Sequence, residues 1–200
     1  IKSINKFVSK TRPKIIIHLA GLSRPVQLHE TDSTESINLN IIGTSNLVMI
    51  CKKYNIKIVY FSSNYVYPGT KGNYKETDPV LPFNNYGWSK LGGESAVHMY
   101  KNSLILRICM TEKPFLHKKA LTDVYFNFIF QEEVAKKIPE LIKFKGILNV
   151  GGPISTIFSF AKKHNPNVKK ISLKKIKTIV FKKNMSMNVK KFNKIYKKKI

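Results

Sequence analysis

Two continuous apolar runs set the limits on what this chain can fold into. Residues 13–21 read PKIIIHLAG and residues 56–63 read IKIVYFSS. Neither alternates polar with apolar residues, as a half-solvated strand would. β-branched residues fill both, and both end in small residues. Such runs suit strands buried on both faces, the setting of a parallel sheet covered by helices. Between them, Ile37, Ile41, Leu47, Val48 and Cys51 fall roughly along one helical face of residues 31–55, with Asp32 or Ser33 placed as cap. A Pro/Gly-rich loop, YPGTKGNYKETDPVLPF, leads into a helix opening near Asn84, and SLILRIC (103–109) reads as a third strand. Strand, helix, strand, long loop, helix, strand is the alternation of an α/β doubly wound fold with a parallel, Rossmann-like sheet.

Past Cys109 the pattern thins. Residues 130–144 read as a helix shortened or kinked by Pro139, 146–153 as a short strand and turn, 154–164 as a small helix and 184–198 as a last one. The expected organisation is a sheet domain over 1–110 and a small α+β lobe over 111–200. With 200 residues, 42% of them hydrophobic, the chain can bury a core of ordinary size. No apolar run approaches the roughly 20 residues that span a bilayer, so no membrane partner is expected. The opening IKSINKFVSK is amphipathic and has no signal-peptide core. Two cysteines make no disulfide framework, and no His/Cys cluster has metal-ligand spacing, so the expectation is a reducing, cytoplasmic compartment and no metal.

The formal charge of +25 is unevenly spread, with twenty-four Lys/Arg against five Asp/Glu in residues 101–200. From Asn165 to Ile200 there are thirteen lysines, no arginine and no acid. Arginine is the residue that clamps phosphates and reads bases, so its absence there argues against a specific nucleic-acid partner. The same segment is rich in Ile and Asn, as an AT-rich coding bias would make it. A basic surface still favours an anionic, phosphate-bearing substrate.

Ligands of open α/β sheets bind beyond the carboxyl ends of the strands. Ala20-Gly21 follow the first strand and Ser62-Ser63 the second. In NNYGWSKLGGE (84–94), Tyr86 and Lys90 stand four apart and share one helix face. A phenol titrates near pH 10, and a neighbouring ammonium brings it toward neutrality by favouring the phenolate. With a serine hydroxyl to hold a carbonyl oxygen, such a pair can donate or remove a proton. Taken singly, Lys90 reads as a solvated helix residue and Tyr86 as a packing tyrosine; their joint order at the strand ends changes that reading. His18, inside a strand pattern, reads as a core histidine, and His29, His98, His117 and His164 as surface residues.

IIIHLAG, NLNIIGTSNLV, VYFSSNYVYPGTKGNYKETDPVLPFNNYGWSKLGGE and LILR, in that order, resemble the extended short-chain dehydrogenases/reductases. The long middle stretch is most similar to dTDP-4-dehydrorhamnose reductases. The resemblance is strong over about residues 13–110 and thin from there to about 195. It implies NADPH or NADH as cofactor and a nucleoside-diphosphate sugar, with a 4-keto group, as substrate. It further implies that Ser63 binds the C4 carbonyl, Tyr86 donates the proton, and Lys90 binds the nicotinamide ribose and lowers the tyrosine's pKa. Backbone at Leu19, Ala20 and Gly21 would line the dinucleotide, with Phe61 and Ser62 near the nicotinamide and Asn40 close by. Asn64 would face the sugar where the reductases usually carry aspartate, and Met110 stands where they place a pocket tryptophan. The family's glycine-rich turn should precede all of this, yet the first glycine is Gly21 and the first residue is Ile. The opening βαβ unit or units are therefore expected to be missing. Sugar-nucleotide epimerases and dehydratases share Ser63, Tyr86 and Lys90, and a catalytically inactive, partner-binding relative would keep the same fold. A homodimer is compatible with either.

Overall fold

The computed structural model describes residues 1–176 and 182–197. Its centre is a parallel sheet of four strands: β1 (Ile15–His18), β2 (Lys57–Ser63), β3 (Ser103–Ile108) and β4 (Gly146–Val150), hydrogen-bonded in that order. The register pairs Ile17 with Val59, Val59 with Leu104, and Leu104 with Gly146. β2 and β3 are buried along their whole length, as their unbroken apolar runs require.

β1 departs from the expectation. It is an edge strand, and Ile17 and the following Leu19 are 41% and 60% exposed. Its apolar run was read as burial on both faces, but among the described residues only β2 pairs with it.

Helices cover both faces. On one, Leu47, Val48 and Cys51 of the helix Thr44–Lys53 and Val97 of the helix Asn85–His98 pack with Ile58, Tyr60 and Ile105. On the other, Val134 and Leu141 of the helix Gln131–Leu141 and Phe192 meet Val59, Leu104 and Leu148. Lys57 reaches past the sheet to give its ammonium to the carbonyls of Ile142 and Phe144, both at 2.5 Å, which closes the end of that helix.

The segment 31–55 is helical, but not uniformly. An α-helical turn Thr34–Ser36 runs into a π-helical stretch Ile37–Gly43 before the helix Thr44–Lys53. The wider turn shifts the inward face by a residue. Asn40 therefore points inward at 1% exposure, while Ile37, expected on the buried face, is 44% exposed. Asp32 supplies the cap, its Oδ1 accepting from the Thr34 amide at 2.9 Å.

Apart from β4 and the helices packed on the sheet, residues 110–197 make short ladders. Lys119–Leu121 pairs in parallel with Lys169–Ile171, Met110–Thr111 with Ile129–Phe130, and Tyr125–Phe126 runs antiparallel to Ser155–Thr156. Their core, around Phe115, Leu121, Val124, Phe126, Met185 and Met187, also takes in Tyr67 and Tyr74 from the long loop after β2. Tyr74 exchanges backbone bonds with Ser186 and Asn188, so the loop is shared between the sheet and the lobe. The helices expected over 154–164 and 184–198 occur at Ile157–His164 and Lys190–Lys197. Lys177, Lys198 and Lys199 of the lysine-rich end lie outside the described residues.

Candidate active site

The carboxyl ends of β1 and β2 open on a cleft of about 650 Å³ between the sheet and the lobe. Of the residues singled out from the sequence, all but Ala20 and Asn40 line it.

Asn40 holds the loop after β1 rather than facing the cleft. Its Oδ1 accepts from the Leu22 amide at 2.8 Å, and its Nδ2 donates to the Leu22 carbonyl and to Ser89 Oγ at 2.9 and 2.8 Å. Gly21 fits only because it has no side chain: a Cβ there would stand 2.8 Å from Asn40 Oδ1 and 3.8 Å from Lys90 Nζ. The backbone at Gly21 is thus left open near the Lys90 ammonium.

The helix Asn85–His98 brings Tyr86 and Lys90 to the same end. Asn84 caps it, accepting from the Gly87 amide at 2.8 Å. Gly93 lets it lie directly on the π-helical stretch, since a Cβ there would sit 2.4 Å from the Asn40 carbonyl oxygen. Tyr60 fixes the helix from below, donating to the Lys90 backbone carbonyl at 3.0 Å. The Lys90 ammonium rests 4.4 Å from the centre of the Tyr60 ring. Burial, partly opposed by the charge of Glu94, pushes the Lys90 pKa down to about 8.

Ser63 stands near enough to Tyr86 to lower the phenol's pKa, and its Oγ accepts from the Tyr65 amide at 3.2 Å. Burial holds the phenol above its ordinary range, against the lowering pull of Ser63 and of the Arg24 charge. Lys90 is not among the groups that shift this phenol. The ammonium sits over Tyr60, and burial dominates at Tyr86. Asn64 is 2% exposed and donates to the Met185 carbonyl at 3.2 Å, which ties it to the lobe. Met110, half-buried, forms part of the wall on that side.

Sequence reasoning missed three features. His29, read as a surface residue, is fully buried; its Nδ1 meets Ser36 Oγ at 2.6 Å and its ring stands edge-on to Tyr86. His18 is the core histidine expected, 2.9 Å from Thr44 Oγ1, its pKa pushed down to about 4 by burial and then by Lys90. Behind the site lies a buried ion pair, Glu94–Arg107, with contacts of 2.6 and 3.0 Å to Oε1. Glu94 also accepts from Ser62 Oγ at 2.5 Å, and Arg107 donates to Tyr67 at 2.8 Å. Glu94 is one helical turn beyond Lys90, the one spacing that could have flagged it. The third feature, Arg24 beside Glu112, joins residues 88 apart and left no local signal.

Parallel strands with helices on both faces, and polar groups gathered beyond the strand ends, define a Rossmann-like α/β protein. The chain belongs to the RmlD substrate binding domain family, which matches residues 1–111. It is 32% identical to methionine adenosyltransferase 2 subunit beta of Xenopus tropicalis over 107 residues, 53% of this chain and 32% of that one. It is 33% identical to dTDP-4-dehydrorhamnose reductase of Burkholderia thailandensis over 97 residues, 48% of this chain and 32% of that one. The structure of dTDP-4-dehydrorhamnose reductase from Bacillus anthracis in complex with NADP superposes with a TM-score of 0.85 at 22% identity, covering 96% of this chain and 78% of that one. The aligned part spans 32% of the length of each of these two curated relatives.

Proposed function

We propose that the protein is an NAD(P)H-dependent reductase of a 4-keto-6-deoxy sugar carried on a nucleoside diphosphate. The observation that carries this reading is that Ser63, Tyr86 and Lys90 line one cleft at the strand ends. The donor set fits a nicotinamide nucleotide. Lys90 has no hydrogen-bond partner for its ammonium among the described residues, and it overlooks open backbone at Gly21, where ribose hydroxyls would be met. Leu19, Ala20 and Gly21 would lie along the dinucleotide, and Phe61 and Ser62 at its nicotinamide end. NADPH or NADH, when bound, supplies the hydride that protein side chains cannot.

The rest falls to the chain's own residues. Ser63 Oγ donates to the keto oxygen and fixes its position. Tyr86, whose raised pKa keeps it protonated at neutral pH, delivers its proton to the same oxygen as negative charge develops there. Lys90, still mostly charged at neutral pH, would hold the ribose hydroxyls of the cofactor. Asn64 and Met110 shape the sugar end. The free, buried Cys51 and Cys109 suit a reducing cytoplasm. Among the described residues no helix is long and apolar enough to cross a membrane. A homodimer is part of this reading, and a specific nucleic-acid partner is not.

The test is to incubate the chain with NADPH and a dTDP-4-keto-6-deoxy sugar, following both the reduced cofactor and the sugar product. Stoichiometric cofactor loss, falling about a hundredfold or more in Tyr86→Phe, supports the reductase. Sugar conversion without net cofactor loss would point to an epimerase or dehydratase. A second reading, a non-catalytic subunit, is favoured by the relative named as a subunit of methionine adenosyltransferase. Dinucleotide binding with no turnover of any keto sugar would support it.

A further inference from the structure

An ion pair that the proposed reduction does not use spans the cleft. Arg24, in the loop after β1, places Nη1 2.9 Å from Oε1 of Glu112, which follows the short strand Met110–Thr111 on the lobe side. Both residues line the cleft, so the pair ties its two walls together. Their side chains are 59% and 40% exposed, which places them among solvated pairs that contribute little to stability and exchange partners readily. Among the described residues only Nη1 of the guanidinium is engaged, leaving most of a five-donor fork open to another acceptor.

The charge around the pair is one-sided. Among the described residues Glu112 is the one acid lining the cleft, against Arg24, Lys90 and Lys119. A carboxylate held by an arginine in a basic cleft stands where an anionic ligand would be bound. The Arg24 charge also reaches Tyr86, which sets the pair close to the reacting end rather than on a remote rim.

We propose that Arg24 is an anion-binding residue of this cleft, that Glu112 occupies it in the ligand-free state, and that a nucleotide diphosphate displaces Glu112 on entry. This inference rests on the nucleotide-handling reading above. It assigns Glu112 a competitive role: the acid holds Arg24 in position and is given up when phosphate oxygens arrive. A plain structural brace would behave differently. Removing either partner of a brace loosens the cleft in the same sense, whereas removing a competitor and removing a receptor act in opposite senses.

The experiment measures binding of dTDP, and separately of NADPH, by isothermal titration at low ionic strength, where a solvated pair is least screened. The proteins are the wild-type chain, Arg24→Gln and Glu112→Gln. The expected result is dTDP binding weakened about tenfold in Arg24→Gln and tightened about threefold in Glu112→Gln. The NADPH arm distinguishes the two sources of diphosphate. Opposite shifts confined to NADPH would assign Arg24 to the cofactor's diphosphate and sustain the exchange. If both ligands bind wild type but Glu112→Gln leaves each unchanged or weaker, the exchange is overturned and the reductase reading stands. If wild type binds neither, the nucleotide reading itself fails and this inference falls with it.

Discussion

The sheet half and the lobe facing it are held together by different chemistry. Around the site the sheet half pairs much of what it buries: Glu94 with Arg107 and Ser62, His18 with Thr44, and Asn40 with Leu22 and Ser89. His29 Nε2 and the Lys90 ammonium have no hydrogen-bond partner among the described residues. The lobe has fewer such groups: Asn127 holds Gly152 and Met187, Ser186 meets Asn73 and Asn184, and Asp123 accepts from Ser172 and Leu173. It packs rings instead, Phe126 stacked on Phe128 and Phe128 against Phe160, around Leu121 and Met187. Polar networks give fixed directions, which acid–base work at Ser63 and Tyr86 needs. Ring packing gives a shaped apolar wall, which suits the recognition of a ligand's body. On the proposed function, chemistry and recognition would be divided between the two halves.

The sharpest way to break this division is Arg107→Ala. It leaves the Glu94 carboxylate buried without its partner, at a cost of roughly 3–5 kcal/mol in urea denaturation. Replacing both Glu94 and Arg107 by leucine should recover most of that loss, because no orphaned charge remains. In the lobe, Leu121→Ala removes a buried side chain, at a cost of roughly 2–5 kcal/mol. Dinucleotide binding should survive that change, since the Lys90 end does not depend on the lobe's apolar wall.

Lys90→Met should move stability the other way. Holding the ammonium near pKa 8 rather than 10.5 costs the fold roughly 3 kcal/mol at neutral pH. Between these values the unfolded chain binds more protons than the folded one, so wild-type stability rises with pH from about 8 to 10.5. The variant's advantage should be largest below pH 8 and shrink across that window, as read by melts at several pH values. The smallest effect expected is Asn40→Ala, at roughly 1–3 kcal/mol from bonds lost to Leu22 and Ser89. Faster hydrogen exchange at the Leu22 amide would localise it.

What the sequence disclosed follows the same division. β2 and β3 were legible because a strand buried on both faces needs an unbroken apolar run. Tyr86 and Lys90 were legible because an i, i+4 spacing is a local property of a helix. The π-helical stretch was not: its register shift, which turns Asn40 inward and Ile37 outward, is fixed by packing against Gly93 rather than by periodicity. His29 looked like a surface residue because its partner Ser36 and its neighbour Tyr86 lie in other elements. The lobe's ladders are two or three residues long, too short to alternate, and their pairing is tertiary. The resting place of the Lys90 ammonium over Tyr60 depended on which face of β2 that ring occupies, which no spacing disclosed.

On the proposed function, the strand ends and the Tyr86–Lys90 helix form a working nicotinamide site. Fluorescence titration of NADPH and NADH against wild type and Lys90→Met tests it most directly. Because the variant should melt above wild type at neutral pH, loss of binding in it cannot be assigned to unfolding. Wild type should bind with an affinity on the order of micromolar, weakened at least about tenfold in Lys90→Met. No binding by wild type, or equal binding by both proteins, would contradict it.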